Sequence, residues 1–334
     1  MSRITQFHRK APPGAFSIER LFETLSTEIS RQGVPVIVRQ CPCYSRGFFR
    51  RLLNIIAARW SGTDVNHITG DVHYLALGLP GDRTVLTIHD LEMLDRLQGW
   101  RRRLLIHYWF TLPMKRCRFV TVISEATRSR LLEIIDCDPE KIVMIPNAIS
   151  PRFEPYPKEF ATGCPTILQL GTKPNKNVPR LIEACKGLDI RLHIIGELTD
   201  EDRDLLRSSG LPFHNECNVT DDAILEAYRN CDVISFCSLH EGFGMPILEA
   251  QWIERPVITS NLSSMPFVAG DAACLVDPYD VASIRSGLCR VLDDQAYRDD
   301  LIVKGRRNRN RFSLSDISRQ YVELYAQIAD MKPL

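Results

Sequence analysis

Two glutamates, Glu241 and Glu249, flank the seven-residue run Gly242-Phe-Gly-Met-Pro-Ile-Leu248. A carboxylate accepts two strong hydrogen bonds, and neighbouring hydroxyls of a sugar or ribose are natural donors to it. Gly242 and Gly244 let the main chain come close to a ligand. Pro246 suits the first turn of a helix, where its missing N–H is no loss. The helix start behind the glycines offers open N–H groups and a positive dipole end, which favour a phosphate. Acids beside a phosphate site are out of place unless they hold something else, which points them at hydroxyls. The plainer reading is a pair of surface acids at a helix start, where acids are favoured anyway.

Strands must present these groups. Asp232 to Phe236 has the composition of a buried strand, His240 to Gly244 reads as a loop, and a helix follows. The same strand-to-loop pattern recurs. Thr166 to Leu170 runs into Gly171-Thr-Lys-Pro-Asn-Lys-Asn-Val178, which opens a helix. Ile190 to Ile195 ends at Gly196-Glu197, and the β-branched run Thr84 to Ile88 ends at His89-Asp90. Ligands of open parallel sheets bind beyond the carboxyl ends of strands, so His89 stands where chemistry would be. The Gly171 loop is neither a Walker loop nor a dinucleotide fingerprint, since the required glycines are absent.

The remaining elements alternate in the same way. Arg3 to His8 reads as a first strand, Ser17 as the cap of a helix through Glu28, and Val34 to Val38 as a second strand. Val65 to Leu75 reads as two strand-like pieces about a Gly-Asp turn. Gln98 to Phe110 is a helix carrying Trp100-Arg-Arg-Arg-Leu-Leu-Ile-His-Tyr-Trp-Phe110, with Lys115, Arg116 and Arg118 after it. Arginines among aromatic and aliphatic residues suit a helix on an anionic membrane face; a buried helix with a charged outer side is the other reading. Arg118 to Ser124 and Lys141 to Ile145 are strands about the helix Glu125 to Ile135. Pro256 to Ser260 is a further strand, Tyr279 to Asp293 and Gln295 to Asn310 are helices, and Leu314 to Met331 is the last helix. Alternating strands and helices predict an α/β chain of parallel sheets with helices on both faces.

Length and charge fit two such domains. A chain of 334 residues is long enough for two cores, and Ser150-Pro-Arg-Phe-Glu-Pro-Tyr-Pro157 reads as a proline-rich hinge. The predicted domains are 1–150, 151–312 and a terminal helix over 313–334. Net charge of +1 hides an asymmetry: residues 1–155 hold 22 Lys+Arg and 15 Asp+Glu (+7), and residues 156–334 hold 20 and 26 (−6). The basic half predicts an anionic surface or acceptor as its partner. No run of about 20 apolar residues or secretory leader pattern appears, and the eleven cysteines show no C-x-x-C pair. These features predict a cytoplasmic chain of reduced, mostly buried thiols, with a peripheral position on the inner face of a membrane left open. No aromatic-basic module for nucleic acid is present.

The run E-G-F-G-M-P-I-L-E-A, Glu241 to Ala250, resembles the E-x7-E signature of retaining glycosyltransferases of the group 1 (family 4) type. That family has the GT-B fold, which implies two Rossmann-like domains facing a cleft and a terminal helix crossing back to the first. The likeness runs from about Thr84 to Tyr325. The resemblance implies a UDP- or GDP-sugar as donor, no cofactor, and no metal, in keeping with the lack of an Asp-x-Asp motif. It implies Glu249 on the ribose hydroxyls, Glu241 on the donor sugar, and Lys176 with the Gly242, Phe243, Gly244 and Met245 amides on the departing diphosphate. His89, in T-I-H-D, is implied beside the donor sugar's reacting carbon. Gly171, Thr172, Lys173, Gly196 and Pro246 complete the donor-side candidates. Thr172 stands where the family has a first basic residue, and Lys173 is its substitute.

In the resembled family the first loop is glycine-rich and meets the donor phosphates. Here only Gly14 remains, directly after Pro12 and Pro13. Gly14, Phe16 and Asn147 are therefore candidates on the acceptor side, which the family often fills with lipid-linked or polysaccharide-precursor glycans. Ser263 and Ser264 are either donors to the nucleotide or parts of local turns. Two other readings stay open: a sugar-nucleotide 2-epimerase of the same fold, and a non-catalytic sugar-nucleotide-binding protein.

Overall fold

The computed structural model describes residues 3–11, 17–95 and 97–329. The chain divides into two compact units, Met1–Ser150 with Phe312–Leu334, and Pro151–Arg311.

The first unit is built on six parallel strands among the described residues: β1 (Ile4–His8), β2 (Val36–Gln40), β3 (Val65–Ile68), β4 (Thr84–Ile88), β5 (Phe119–Val122) and β6 (Ile142–Met144). Their order is β2-β1-β3-β4-β5-β6, so the winding direction reverses between β1 and β3. Every residue of β1, β3 and β4 is buried. Helices cover both faces of a parallel sheet, which is why such strands are buried along their whole length rather than on alternate residues. On one face Phe22, Leu25 and Ile29 of the helix Ser17–Arg31 pack with Tyr321, Leu324 and Ile328 of the terminal helix Leu314–Ala329.

A buried polar seam fixes that terminal helix. The Tyr325 hydroxyl lies 2.7 Å from His67 Nδ1 and takes a hydrogen bond from Gln6 Nε2 at 3.1 Å. His67 Nε2 is 2.7 Å from Thr87 Oγ1, which is 2.6 Å from Thr121 Oγ1. Burial lowers the His67 pKa to about 3, so the ring is neutral and structural.

The second unit repeats the plan with β7 (Thr166–Leu170), β8 (Arg191–Ile195), β9 (Phe213–Glu216), β10 (Val233–Phe236), β11 (Val257–Ser260) and β12 (Cys274–Val276). The order is β12-β11-β10-β7-β8-β9, all parallel, so this sheet reverses between β7 and β10. That is the Rossmann arrangement, in which a ligand binds where the order reverses.

Local departures from the sequence reading have local causes. Only Val65–Ile68 of the Val65 to Leu75 stretch is a strand; His73–Leu77 is a 3-10 helix. The helices Phe48–Ser61 and Asp200–Ser209 and the strand β9 were not expected. Gln98 to Phe110 begins a longer helical run: α-helical over Gly99–Leu105, a π turn over Ile106–Thr111, then Leu112–Arg116. Pro113 has no N–H for the Trp109 carbonyl four residues back. Buried His73 supplies the missing donor, with Nδ1 2.9 Å from Trp109 O.

Candidate functional site

The loops after β7 and β10 meet at the reversal point of the second sheet. Leu239 N donates to Asn175 O at 2.8 Å, and Asn175 Nδ2 donates to His240 O at 3.1 Å. Across this junction Lys176 Nζ donates to Glu241 Oε1 at 2.7 Å, with the two side chains 17% and 15% exposed. Asn175 Nδ2 also reaches Glu241 Oε1, at 3.2 Å. The Lys176 ammonium sits 4.5 Å from the centre of the Phe236 ring. A cation and a carboxylate from different loops thus share one small, half-buried site.

Glycines make that approach possible. Gly171 has φ +82°, and a Cβ there would lie 3.0 to 3.4 Å from the Lys176 side chain. The lysine stem therefore runs directly over the Gly171 backbone. Gly196 has φ +140°, and its added Cβ would stand 2.7 Å from Thr172 Oγ1. The Thr172 hydroxyl donates to Glu197 O at 2.6 Å, so it ties the loop after β7 to the loop after β8. Lys173 is exposed at the start of the 3-10 turn Pro174–Lys176.

Gly244, at φ +111°, precedes the helix Met245–Ile253, whose N-terminus has no side-chain cap and carries Pro246 in its first turn. Phe243 is buried. Ser263 Oγ donates to Glu241 O at 2.8 Å, and Ser264 Oγ donates to Phe243 O at 2.6 Å. These bonds span more than twenty residues of chain, so the serines brace the glycine loop, a role outside the two readings of local turn and nucleotide donor.

Glu249 lies in that helix. The buried Tyr228 hydroxyl donates to its Oε2 at 2.5 Å. Burial raises the Glu249 pKa from 4.5 to about 7, against the opposing pull of the Tyr228 bond and the Lys176 charge. The carboxyl is thus poised between its two forms near neutral pH.

Several polar groups at this junction escaped the sequence reading. Asn177, buried with φ +61°, donates through Nδ2 to Cys237 O at 3.1 Å and Pro278 O at 2.7 Å. Gln169 Nε2 holds the Gly171 carbonyl at 3.1 Å. Gln169 Oε1, Ser238 Oγ and His240 Nε2 are buried without a hydrogen-bond partner among the described residues. Buried polar atoms rarely stay unpaired, so these three have hydrogen-bonding capacity for water or a ligand. An asparagine directly after Lys176 was the one visible signal.

In the first unit, His89 follows β4 and is buried, with Nε2 donating to Thr69 O at 2.8 Å. A carbonyl only accepts, so Nε2 carries the proton. At the reversal point of this sheet, Arg9 donates to Glu19 at 2.7 Å and to Asp71 at 2.5 Å. Burial lowers the pKa of neighbouring His8 to about 4, and its Nε2 has no partner among the described residues. Asn147 is buried beyond β6. Gly14 and Phe16 lie outside the described residues.

The comparisons with known proteins agree with this fold. Residues 157–308 match the family model described as Glycosyl transferases group 1, and residues 12–153 match Glycosyltransferase Family 4. The chain belongs to the group 1 glycosyltransferases. This glycosyltransferase is 25% identical over 277 residues to the O-antigen chain mannosyltransferase B of Escherichia coli, covering 73% of this chain and 70% of that protein. Its fold matches a sucrose-phosphate synthase from Thermosynechococcus elongatus with a TM-score of 0.81 at 16% identity, over 98% of this chain and 99% of that one. It also matches Anabaena HepE in complex with UDP-glucose, with a TM-score of 0.77 at 14% identity over 98% and 100% of the two chains.

Proposed function

We propose that this glycosyltransferase moves a hexosyl group from a nucleotide diphosphate sugar to a hydroxyl of a glycan or lipid-linked acceptor, with retention at the anomeric carbon. One observation carries the reading: Lys176 and Glu241 meet at the reversal point of a Rossmann sheet, 2.7 Å apart. A diphosphate entering there exchanges the Lys176–Glu241 bond for Lys176–phosphate contact, releasing Glu241 to accept from sugar hydroxyls. The open start of the helix Met245–Ile253 adds its dipole to the leaving diphosphate. Preorganised positive charge of this kind commonly dominates rate enhancement. Lysine and main-chain amides together take the neutralising role, so the transfer runs without a metal ion. Glu249, held by Tyr228 through one oxygen, keeps the other for ribose. His89, whose Nε2 donates its proton to Thr69 O, and Asn147 are the first unit's candidates for the sugar-transfer and acceptor roles.

The mannosyltransferase name of the E. coli relative makes mannosyl donors the first to test, beside UDP-glucose. The assay is release of nucleoside diphosphate from GDP- and UDP-hexoses, with and without lipid-linked glycan acceptors, in EDTA. Wild-type turnover that falls at least 100-fold in Glu241→Ala, with product of the donor's anomeric configuration by NMR, supports the proposal. Nucleotide binding without cleavage of any donor overturns it in favour of a binding protein. Interconversion of the free sugar nucleotide favours the epimerase.

The acceptor side is read as a membrane-facing surface. Phe48, Phe49 and Trp60 of the helix Phe48–Ser61 are 74%, 78% and 85% exposed, beside exposed Arg50 and Arg59. Trp100 and Tyr108 are exposed in the adjoining run, among Arg101, Arg102 and Arg103. The two helical segments are neighbours, since the Arg51 guanidinium lies 4.9 Å from the Trp109 ring centre. Neither Phe48–Ser61 nor Gly99–Arg116 contains an acid. Aromatic and aliphatic residues mixed with arginine, without carboxylates, match an anionic lipid surface, where lipid-linked acceptors reside. Among the described residues, no helix is long and apolar enough to cross a membrane.

A further inference from the structure

Away from the switch-point loops, the outer edge of the second sheet carries a cluster the transfer does not use. In the parallel pair β8–β9, His193 stands opposite His214 and Ile195 opposite Glu216. Side chains two residues apart share a face of a strand, so His214 and Glu216 project together and the register adds His193. His193 Nε2 is 2.8 Å from Glu216 Oε1, and His214 Nε2 is 3.1 Å from the same oxygen. One ligand atom from each residue lies within 4.8 Å of the others. We propose that His193, His214 and Glu216 form a binding site for a divalent transition-metal ion of the zinc class.

Two imidazole nitrogens and one carboxylate oxygen are the donor set of zinc and its first-row neighbours, not of calcium or magnesium, which take oxygen. Tetrahedral ligands bound at about 2.0–2.1 Å stand roughly 3.4 Å apart. The observed 2.8 and 3.1 Å spacings need to open by only about half an ångström around an ion. The side chains are 15%, 62% and 36% exposed, so they can adjust, and solvent has access to supply a fourth ligand. The ion would clamp the edge strand β9 to β8. It would also stiffen the Gly196 turn, because Gly196 N donates to Glu216 O at 2.8 Å and Asn215 Nδ2 donates to Gly196 O at 2.9 Å.

The test uses tag-free full-length protein titrated with cobalt(II) and zinc(II), followed by visible absorption, calorimetry and thermal melting. The expected result is one tightly held ion per chain, with a Kd below about 10 µM, tetrahedral-type cobalt bands without thiolate charge transfer, and a raised Tm. Cys217→Ser should bind unchanged, since the exposed thiol beside Glu216 is outside the cluster. His214→Asn and Glu216→Gln should each weaken binding at least tenfold while melting like the metal-free wild type. The proposal is overturned if cobalt does not bind, if its spectrum shows thiolate ligation, or if the double variant His193→Asn/His214→Asn binds as wild type does.

Discussion

Replacing Glu249 by glutamine tests the electrostatics of the donor site most directly. The carboxyl pKa rises from 4.5 to about 7 because burial disfavours its charge. At about 1.4 kcal/mol per tenfold change in proton affinity, ionising it in the folded state costs about 3 kcal/mol. The sign follows from proton counting. Between pH 4.5 and about 7 the folded chain holds a proton that the unfolded chain has released. Its stabilising effect is complete below 4.5 and is lost as pH rises through 7. Glutamine keeps an oxygen for the Tyr228 hydroxyl but does not titrate. The stability difference between wild type and Glu249→Gln, measured by urea unfolding at pH 4.5 and pH 8.5, should therefore change by about 3 kcal/mol in favour of the variant at the higher pH. All other titrating groups are common to both proteins and cancel. Nucleoside diphosphate should bind wild type more tightly as pH rises through 7, with proton release, because ribose hydroxyls donate best to the ionised form. The variant should bind weakly and without that pH dependence. An equal stability difference at both pH values would refute the buried-carboxyl argument, and pH-independent wild-type binding would refute the ribose assignment.

Lys176→Ala should lower kcat at least 100-fold with little loss of fold, because it removes charge from the leaving group; an unchanged kcat with only a raised KM would move the lysine out of catalysis. Gly171→Ala should lower Tm and donor affinity together, because the new Cβ meets the Lys176 stem. Gly187→Ala, with φ +74° and nothing within 4 Å, isolates the backbone strain of about 1 kcal/mol and should leave donor binding intact. Phe49→Ser/Trp60→Ser should abolish sedimentation with anionic vesicles and leave stability within about 0.5 kcal/mol, both residues being exposed. Tyr325→Phe should cost about 1–3 kcal/mol in unfolding experiments, since it takes the hydroxyl partner from buried His67 Nδ1 and Gln6 Nε2.

The sequence alone determined what is local. Buried parallel strands such as Thr84–Ile88 and Val257–Ser260 are apolar runs that announce themselves, and the glycines, Pro246 and the paired acids mark a loop and helix start by their own chemistry. The helix Phe48–Ser61 stayed hidden because its apolar residues face outward and no side chain caps its start. Strand β9 stayed hidden because an edge strand need not be apolar, and Phe-His-Asn-Glu reads as a loop. Tertiary structure decided everything that depends on which strands lie side by side. Strand order places Lys176 against Glu241, 65 residues apart in the chain, and the packing around Glu249 supplies both the burial that raises its proton affinity and the Tyr228 bond that opposes the rise. Register alone gathers His193, His214 and Glu216 on one face. Pairing between distant strands is set by the global packing of apolar surface, which no short window of residues encodes.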